Sequence, residues 1–211
     1  MKCKASELII KALKDESIKY SFGIPGTHNI ELYDAFEDEP DLTPLLVCHE
    51  QGASFMADGL ARVSESLAVV NVVPGAGLTH CLSGVGEAYM DQVPMLLLAC
   101  GIRTDTGNAY QLHAINQADV VRPICKKVFE PKTQKEVYQQ TREAICLAKK
   151  DPAGPVTVII PANLYLIPDT INEADHLNFV NVEKENLVIN TDQLLKITEN
   201  LNASQNIALY V

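Results

Sequence analysis

Apolar residues along this chain fall into two alternating patterns. Short runs rich in Val, Ile and Leu, at Tyr20 to Ile24, Leu45 to His49, Leu67 to Val73, Met95 to Cys100, Lys126 to Phe129 and Val156 to Ile160, read as strands. Between them lie longer segments of helical period, at Ser6 to Ser17, Asn29 to Glu37, Glu50 to Ser64, Leu78 to Met90 and Gln134 to Lys150. This alternation predicts an α/β fold: a doubly wound, mostly parallel six-stranded sheet with helices on both faces.

The texture changes after Pro161. Residues 1–168 read as one domain, and the polar, irregular stretch 169–190 reads as a linker. Residues 191–211 then offer a helix from about Thr191 to Leu201 and an apolar run from Ile207 to Val211, the expected first strand of another domain. A strand that ends a chain with nothing to pair against is an edge liability, so a truncated longer protein is expected. Neither an internal repeat nor a low-complexity stretch interrupts this plan.

Composition narrows the partners more than the fold. Apolar residues make up 47% of the chain and charged residues 21%, the balance of a globular protein with a core of ordinary size. The formal net charge of −10 leaves no basic stripe for a phosphate backbone, which excludes nucleic acid as the expected partner. No apolar run reaches membrane length, and Met1-Lys2-Cys3-Lys4 leads into an amphipathic segment rather than a signal core, so a cytoplasmic protein with no membrane partner is expected. The cysteines, at 3, 48, 81, 100, 125 and 146, form no Cys-x-x-Cys pair and read as small hydrophobes rather than zinc ligands or a disulfide framework.

Ligands of doubly wound sheets bind at the carboxyl ends of the strands, which directs attention to the loops there. Gly23-Ile24-Pro25-Gly26 is a turn directly after a strand. In His49-Glu50-Gln51-Gly52-Ala53 a carboxylate opens a helix, and Pro74-Gly75-Ala76-Gly77 is a glycine turn between a strand and a helix. Each has a plain reading, because such turns follow strands in many α/β folds and a Glu in a first helical turn is favoured by the helix dipole. The glycine loop lacks the third glycine of a dinucleotide fingerprint, which disfavours a nicotinamide site.

Taken in order, the loops carry more. Phe22-Gly23-Ile24-Pro25-Gly26, His49 to Ala53 leading to Ala57-Asp58-Gly59-Leu60-Ala61-Arg62, Gly84 with Ala88-Tyr89-Met90-Asp91 and Pro94, Arg122 to Lys126, and Gly154-Pro155-Val156 to Pro161 together resemble the N-terminal, pyrimidine-binding domain of acetolactate synthase and its thiamine-diphosphate relatives. The resemblance runs from Ser6 to Pro161. It implies that Glu50 hydrogen-bonds N1′ of the cofactor's aminopyrimidine ring and promotes the imino tautomer, whose 4′ nitrogen removes the thiazolium C2 proton. By the same resemblance Gly23, Ile24, Pro25, Gly26, Gly75, Ala76, Gly77 and His80 line the cofactor pocket, where glycine lets the backbone approach a flat ring.

The sequence departs from that family's usual pattern in two places. Gly75-Ala76-Gly77 and Leu78-Thr79-His80 stand where Gly-Pro-Gly and Ala-Thr-Asn are common, and Leu112-His113 stands near the carboligases' Phe-Gln pair, with Gln111 two residues earlier. His113 is therefore a candidate acid or base near the reactive carbon, or else an exposed loop residue beside Tyr110. His28, His80 and His176 belong to no linear pattern of metal ligands, so no metal site is assigned to this chain. The resemblance implies Mg2+ held with the diphosphate by a C-terminal Gly-Asp-Gly domain, a sequence this chain lacks, and an active site shared between subunits of a homo-oligomer that is at least a dimer. Helices Glu50 to Ser64 and Leu78 to Met90 would then be partly interface. The functional expectation is the N-terminal part of a carboligase acting on a small 2-oxoacid, inactive by itself. The alternatives are a 2-oxoacid decarboxylase of the same superfamily and a non-catalytic assembly or regulatory module.

Overall fold

The computed structural model describes residues 2–64, 66–107, 110–171 and 190–208. Six strands form one all-parallel sheet: β2 (Tyr20–Gly23), β3 (Thr43–Leu46), β4 (Ala68–Val72), β5 (Met95–Gly101), β6 (Lys127–Phe129) and β7 (Pro155–Pro161), in the spatial order β3-β2-β4-β5-β7-β6. Helices α1 (Ala5–Asp15), α2 (Ile30–Glu37), α6 (Gln134–Lys149) and α7 (Ala162–Leu166) cover one face. On the other lie α3 (Glu50–Val63), α4 (Ala76–Met90) and the short α5 (Gln117–Val121). This is the doubly wound architecture that the alternating pattern predicts.

The period of two along each strand divides the core between the faces. Along β5, Leu96, Leu98 and Cys100 pack against Ile9, Phe36 and Ile145 of the first layer, while Met95, Leu97 and Ala99 pack against Ala57, Leu78 and Val85 of the second. Both sets are fully buried. A continuous apolar run is what such a strand requires, because neither face meets water.

Element boundaries move by one to three residues from the expected ones. The largest change is in β3, which pairs from Thr43 to Leu46 rather than running to His49. The edge strand releases after Val47 N–H reaches Gly23 O, because His49 must turn out to cap α3. As an edge strand, β3 also leaves Leu45 and Leu46 exposed, at 40% and 67%, where the sequence suggests burial. Helix α1 stops short of Ser17, which takes a left-handed φ of 57° while Ile18 N–H returns to Leu13 O.

Short elements escape the sequence pattern because they span too few residues to show a period. Strand β1 (Lys2–Cys3) pairs antiparallel with β8 (Asp169–Thr170), so the stretch expected as linker begins with a strand closing over the amino end. Cys3, Leu8, Ala12, Tyr138 and Ile171 pack beneath that pair. Residues 172–189 lie outside the described residues. Helix α8 (Thr191–Ala203) matches the expected helix, and every residue of it is exposed. Of the expected strand at Ile207 to Val211, Ile207 and Ala208 are not in a strand, and 209–211 lie outside the described residues.

Candidate functional site

The strand order reverses between β2 and β4. From β2 the chain goes outward to β3 on one side, then returns to β4 on the other, so their carboxyl ends flank the crevice where doubly wound sheets place ligands. Gly23 ends β2 at closest approach to β4: a Cβ there would collide with Asn71 O and sit 2.8 Å from the Tyr33 hydroxyl. No side chain fits. The turn that follows is fixed by buried Asn29, whose Oδ1 accepts from Gly26 N–H at 2.7 Å and whose Nδ2 donates to Ile24 O at 3.2 Å and to Asn71 Oδ1 at 3.4 Å.

Val73 forms the floor between two glycines. A Cβ on Gly26 would lie 2.7 Å from its Cγ1, and one on Gly77 2.7 Å from its Cγ2. Both loops thus close onto Val73 at a distance that leaves no room for a side chain on either glycine. Gly75 holds φ 66° and ψ −106°, a conformation open only to glycine, and its N–H donates to Gln117 Oε1 at 3.3 Å. Gln117 Nε2 donates in turn to Cys100 O, which ties the glycine loop to the end of β5.

Glu50 is the first residue of α3, where the positive end of the helix dipole favours a carboxylate. Its side chain is only 12% exposed. His49 caps the helix, with Nδ1 accepting from Gln51 N–H at 3.2 Å. On α4, His80 brings Nδ1 to 3.1 Å from Glu50 Oε2, while Glu50 Oε1 lies 3.5 Å from where a Gly77 Cβ would stand. The two helices are held at short range by Gly84, whose hydrogen faces Ser54 at a distance no side chain tolerates. Farther along, Arg62 bridges Asp58 at 2.8 Å and Asp91 at 2.7 Å.

His113 reaches the crevice from the loop after β5. With φ 68° it folds over Gly75, whose Cβ position would be 3.0 Å from His113 Cα, Cβ and O. Its ring meets the edge of the His28 ring at 5.8 Å between centroids. Burial holds the His28 imidazole below its ordinary pKa, and the neighbouring His113 adds to this. Gln111 points elsewhere, donating from Nε2 to Arg103 O at 2.8 Å. Of the expected site residues, the structure gathers Gly23, Gly26, Glu50, Gly75, Gly77, His80 and His113 around the crevice. Ile24 serves it through its carbonyl, whereas Pro25 on its turn and Ala76 at the start of α4 are exposed.

Two relationships do not show in the linear sequence. His28 has no ligand pattern around it, yet its place just before the α2 cap puts it at the mouth of a switch-point loop. The Glu50–His80 contact joins residues 30 positions apart, and linear spacing does not reveal it. With His49, these two form the one three-residue cluster of metal-type ligands among the described residues. Two imidazoles and one carboxylate are the wrong donors for a hard, oxygen-seeking ion such as Mg2+, and His49 Nδ1 is already engaged as a cap.

Residues 3–120 match the family described as thiamine pyrophosphate enzyme, N-terminal TPP binding domain. The chain is 33% identical over 175 residues to the acetolactate synthase isozyme 3 large subunit of Escherichia coli, covering 83% of this chain and 29% of that protein. It is 29% identical over 207 residues to the acetolactate synthase large subunit of Lactococcus lactis, covering 95% of this chain and 35% of that protein. A probable acetolactate synthase large subunit of Methanocaldococcus jannaschii is 34% identical over 161 residues, 76% of this chain and 27% of its own length. The chain therefore spans about a third of these relatives, and the stretch matched by the family, residues 3–120, carries the glycine turns and the helix-opening Glu50. It belongs to the thiamine-diphosphate enzymes, as a pyrimidine-binding N-terminal domain of the acetolactate synthase type.

Proposed function

We propose that this chain forms the pyrimidine wall of a thiamine-diphosphate-dependent 2-oxoacid carboligase and that Glu50 activates the cofactor. The observation that carries the reading is the Glu50 carboxylate, largely shielded from water at a helix start, with one oxygen beside His80 and the other beside Gly77. When bound, thiamine diphosphate would supply a nucleophilic thiazolium carbon for the 2-oxoacid. Glu50 would hold its pyrimidine ring by a hydrogen bond to N1′ and keep the proton shared there. Shielding from water strengthens that bond.

Mg2+ and the diphosphate are assigned to a diphosphate-binding domain outside this chain, since the described residues around the crevice offer no oxygen-rich ligand set. This chain by itself is then catalytically silent. Helices α3 and α4 expose Phe55, Met56, Val63, Tyr89 and Met90, an apolar surface that supports assembly with a second copy, at least a dimer. No described helix is long and apolar enough to cross a membrane, and we place the protein in the cytoplasm. A second reading, 2-oxoacid decarboxylation, is favoured by His113 over Gly75 with the His28 ring edge-on to it, two imidazoles at the crevice that suit acid–base work.

The test is Glu50→Gln in the assembled protein, with hydrogen–deuterium exchange at C2 of the bound cofactor as readout. Exchange slows by about a hundredfold or more, the scale of acid–base roles, while the fold persists. An unchanged exchange rate removes Glu50 from the mechanism. Replacing His113 by Gln separates the two readings: a changed ratio of carboligation to decarboxylation at constant cofactor affinity places that imidazole beside the substrate.

A further inference from the structure

We infer that His80 is a positioning residue, which fixes the Glu50 carboxylate so that Oε1 rather than Oε2 is presented to the crevice. The inference rests on the reading of Glu50 as the pyrimidine-binding carboxylate and adds a second residue to that function. Three observations carry it.

The first is the pairing itself. Nδ1 of His80 stands 3.1 Å from Glu50 Oε2, and in the tautomer with its hydrogen on Nδ1 the imidazole donates to that oxygen. The second is that the imidazole is braced. The His49 ring stacks on it at 4.7 Å with 28° between planes, and His49 is itself held by capping α3 through Nδ1. The third is the difference between the two carboxylate oxygens. Oε2 faces a half-exposed imidazole, whereas Oε1 faces the backbone of Gly77, one turn earlier on the same helix as His80.

Glu has three side-chain torsions, and a free carboxylate would sample orientations in which neither oxygen lies along the edge of the entering ring. A hydrogen bond from a second helix removes that freedom before the ligand arrives, which is where a fixed geometry contributes to rate. Because α3 and α4 are locked by the Gly84–Ser54 approach and by Arg62, the donor cannot drift from its acceptor.

Two substitutions separate this role from simple packing. His80→Asn retains a donor nitrogen at the same number of bonds from the backbone and removes the ring, whereas His80→Phe retains a ring to stack on His49 and removes the donor. Both are made in the assembled protein, diphosphate-binding domain present, alongside Glu50→Gln. The readouts are C2 hydrogen–deuterium exchange of bound cofactor, cofactor affinity and thermal midpoint.

Positioning predicts that His80→Phe slows exchange roughly tenfold with affinity changed less than about threefold, and that His80→Asn stays within about twofold of the parent. If Phe exchanges as fast as the parent, or Asn is as slow as Phe, the inference is overturned and His80 is packing. The parallel Glu50→Gln series tells the two readings apart. Slow exchange in Gln with normal exchange in Phe removes only the role of His80, whereas normal exchange in Gln removes both.

Discussion

The two helical layers of this sheet are finished differently. On the side of α1, α2 and α6, the apolar faces are turned inward and the outer surface is laced by charge. Arg142 reaches Glu16 at 2.7 Å and the Tyr138 hydroxyl at 3.0 Å, Tyr138 donates to Asp15 at 2.6 Å, and Lys14 meets Glu39. On the side of α3 and α4, the inner faces are equally well buried, but Met56, Val63 and Met90 stand out in water at 53%, 84% and 76% exposure. The crevice with Glu50 opens on this second side. Exposed Met and Val side chains beside the crevice are what the proposed assembly would cover, whereas the outer surface of α1, α2 and α6 is tied by ion pairs.

Cutting apolar side chains from each layer tests this contrast most strongly. Leu13→Ala in α1 removes a fully buried side chain from the first core and is expected to cost about 3 kcal/mol of unfolding free energy, within the range for Leu-to-Ala changes. Met56→Ser together with Met90→Ser, on the second layer, should shift stability of the isolated chain by no more than about 0.5 kcal/mol per site. The pair should instead weaken self-association of the assembled protein, read by sedimentation at several concentrations. Equal destabilisation in the two layers would show that the second surface is already covered within the chain.

A smaller effect is expected at the glycine loop. Gly75→Ala places a side chain on a backbone with φ 66° and against His113, at 3.0 Å from its Cα, Cβ and O. The cost is about 2 kcal/mol, the scale of a residue held in a glycine-only conformation. Stability and site should fail together here, because His113 must move to admit the methyl group. Chemical denaturation measures the first, and the His113 ring resonances report the second. A variant that keeps full stability would mean that the loop has another conformation of similar energy.

Much of this arrangement is legible in the chain because its cause is local. Glycine and proline at the ends of apolar runs mark the loops, and the carboxylate at a helix start marks the site, so Gly23, Glu50 and Gly77 stand out in the sequence and meet at one crevice in the fold. What is not legible depends on contacts between distant segments. The exposure of Leu45 and Leu46 follows from β3 lying at the sheet edge, which strand order decides and an apolar run does not announce. The His80–Glu50 bond depends on how closely α3 and α4 approach, and that is set by Gly84 meeting Ser54. His113 is legible as a candidate, but its partner His28 lies 85 positions away in the sequence, on a loop that only the fold brings near.

The smallest expected effect concerns that pair, and its sign follows from linkage. Folding lowers the His28 pKa, first through burial and then through the nearby His113, so in the unfolded chain the same imidazole titrates higher, at about 6.5. Between the two values the unfolded chain binds more protons than the folded one. Stability therefore rises with pH across that window: the contribution is present above about 6.5 and is lost as pH falls through the folded value. His28→Asn removes the titration while leaving a polar side chain at the crevice mouth. Urea midpoints measured at pH 7.5 and pH 5.5 should fall slightly less for the variant than for the parent, since half-burial keeps the effect modest. Parallel losses in parent and variant would mean that His28 is solvated as well in the fold as outside it.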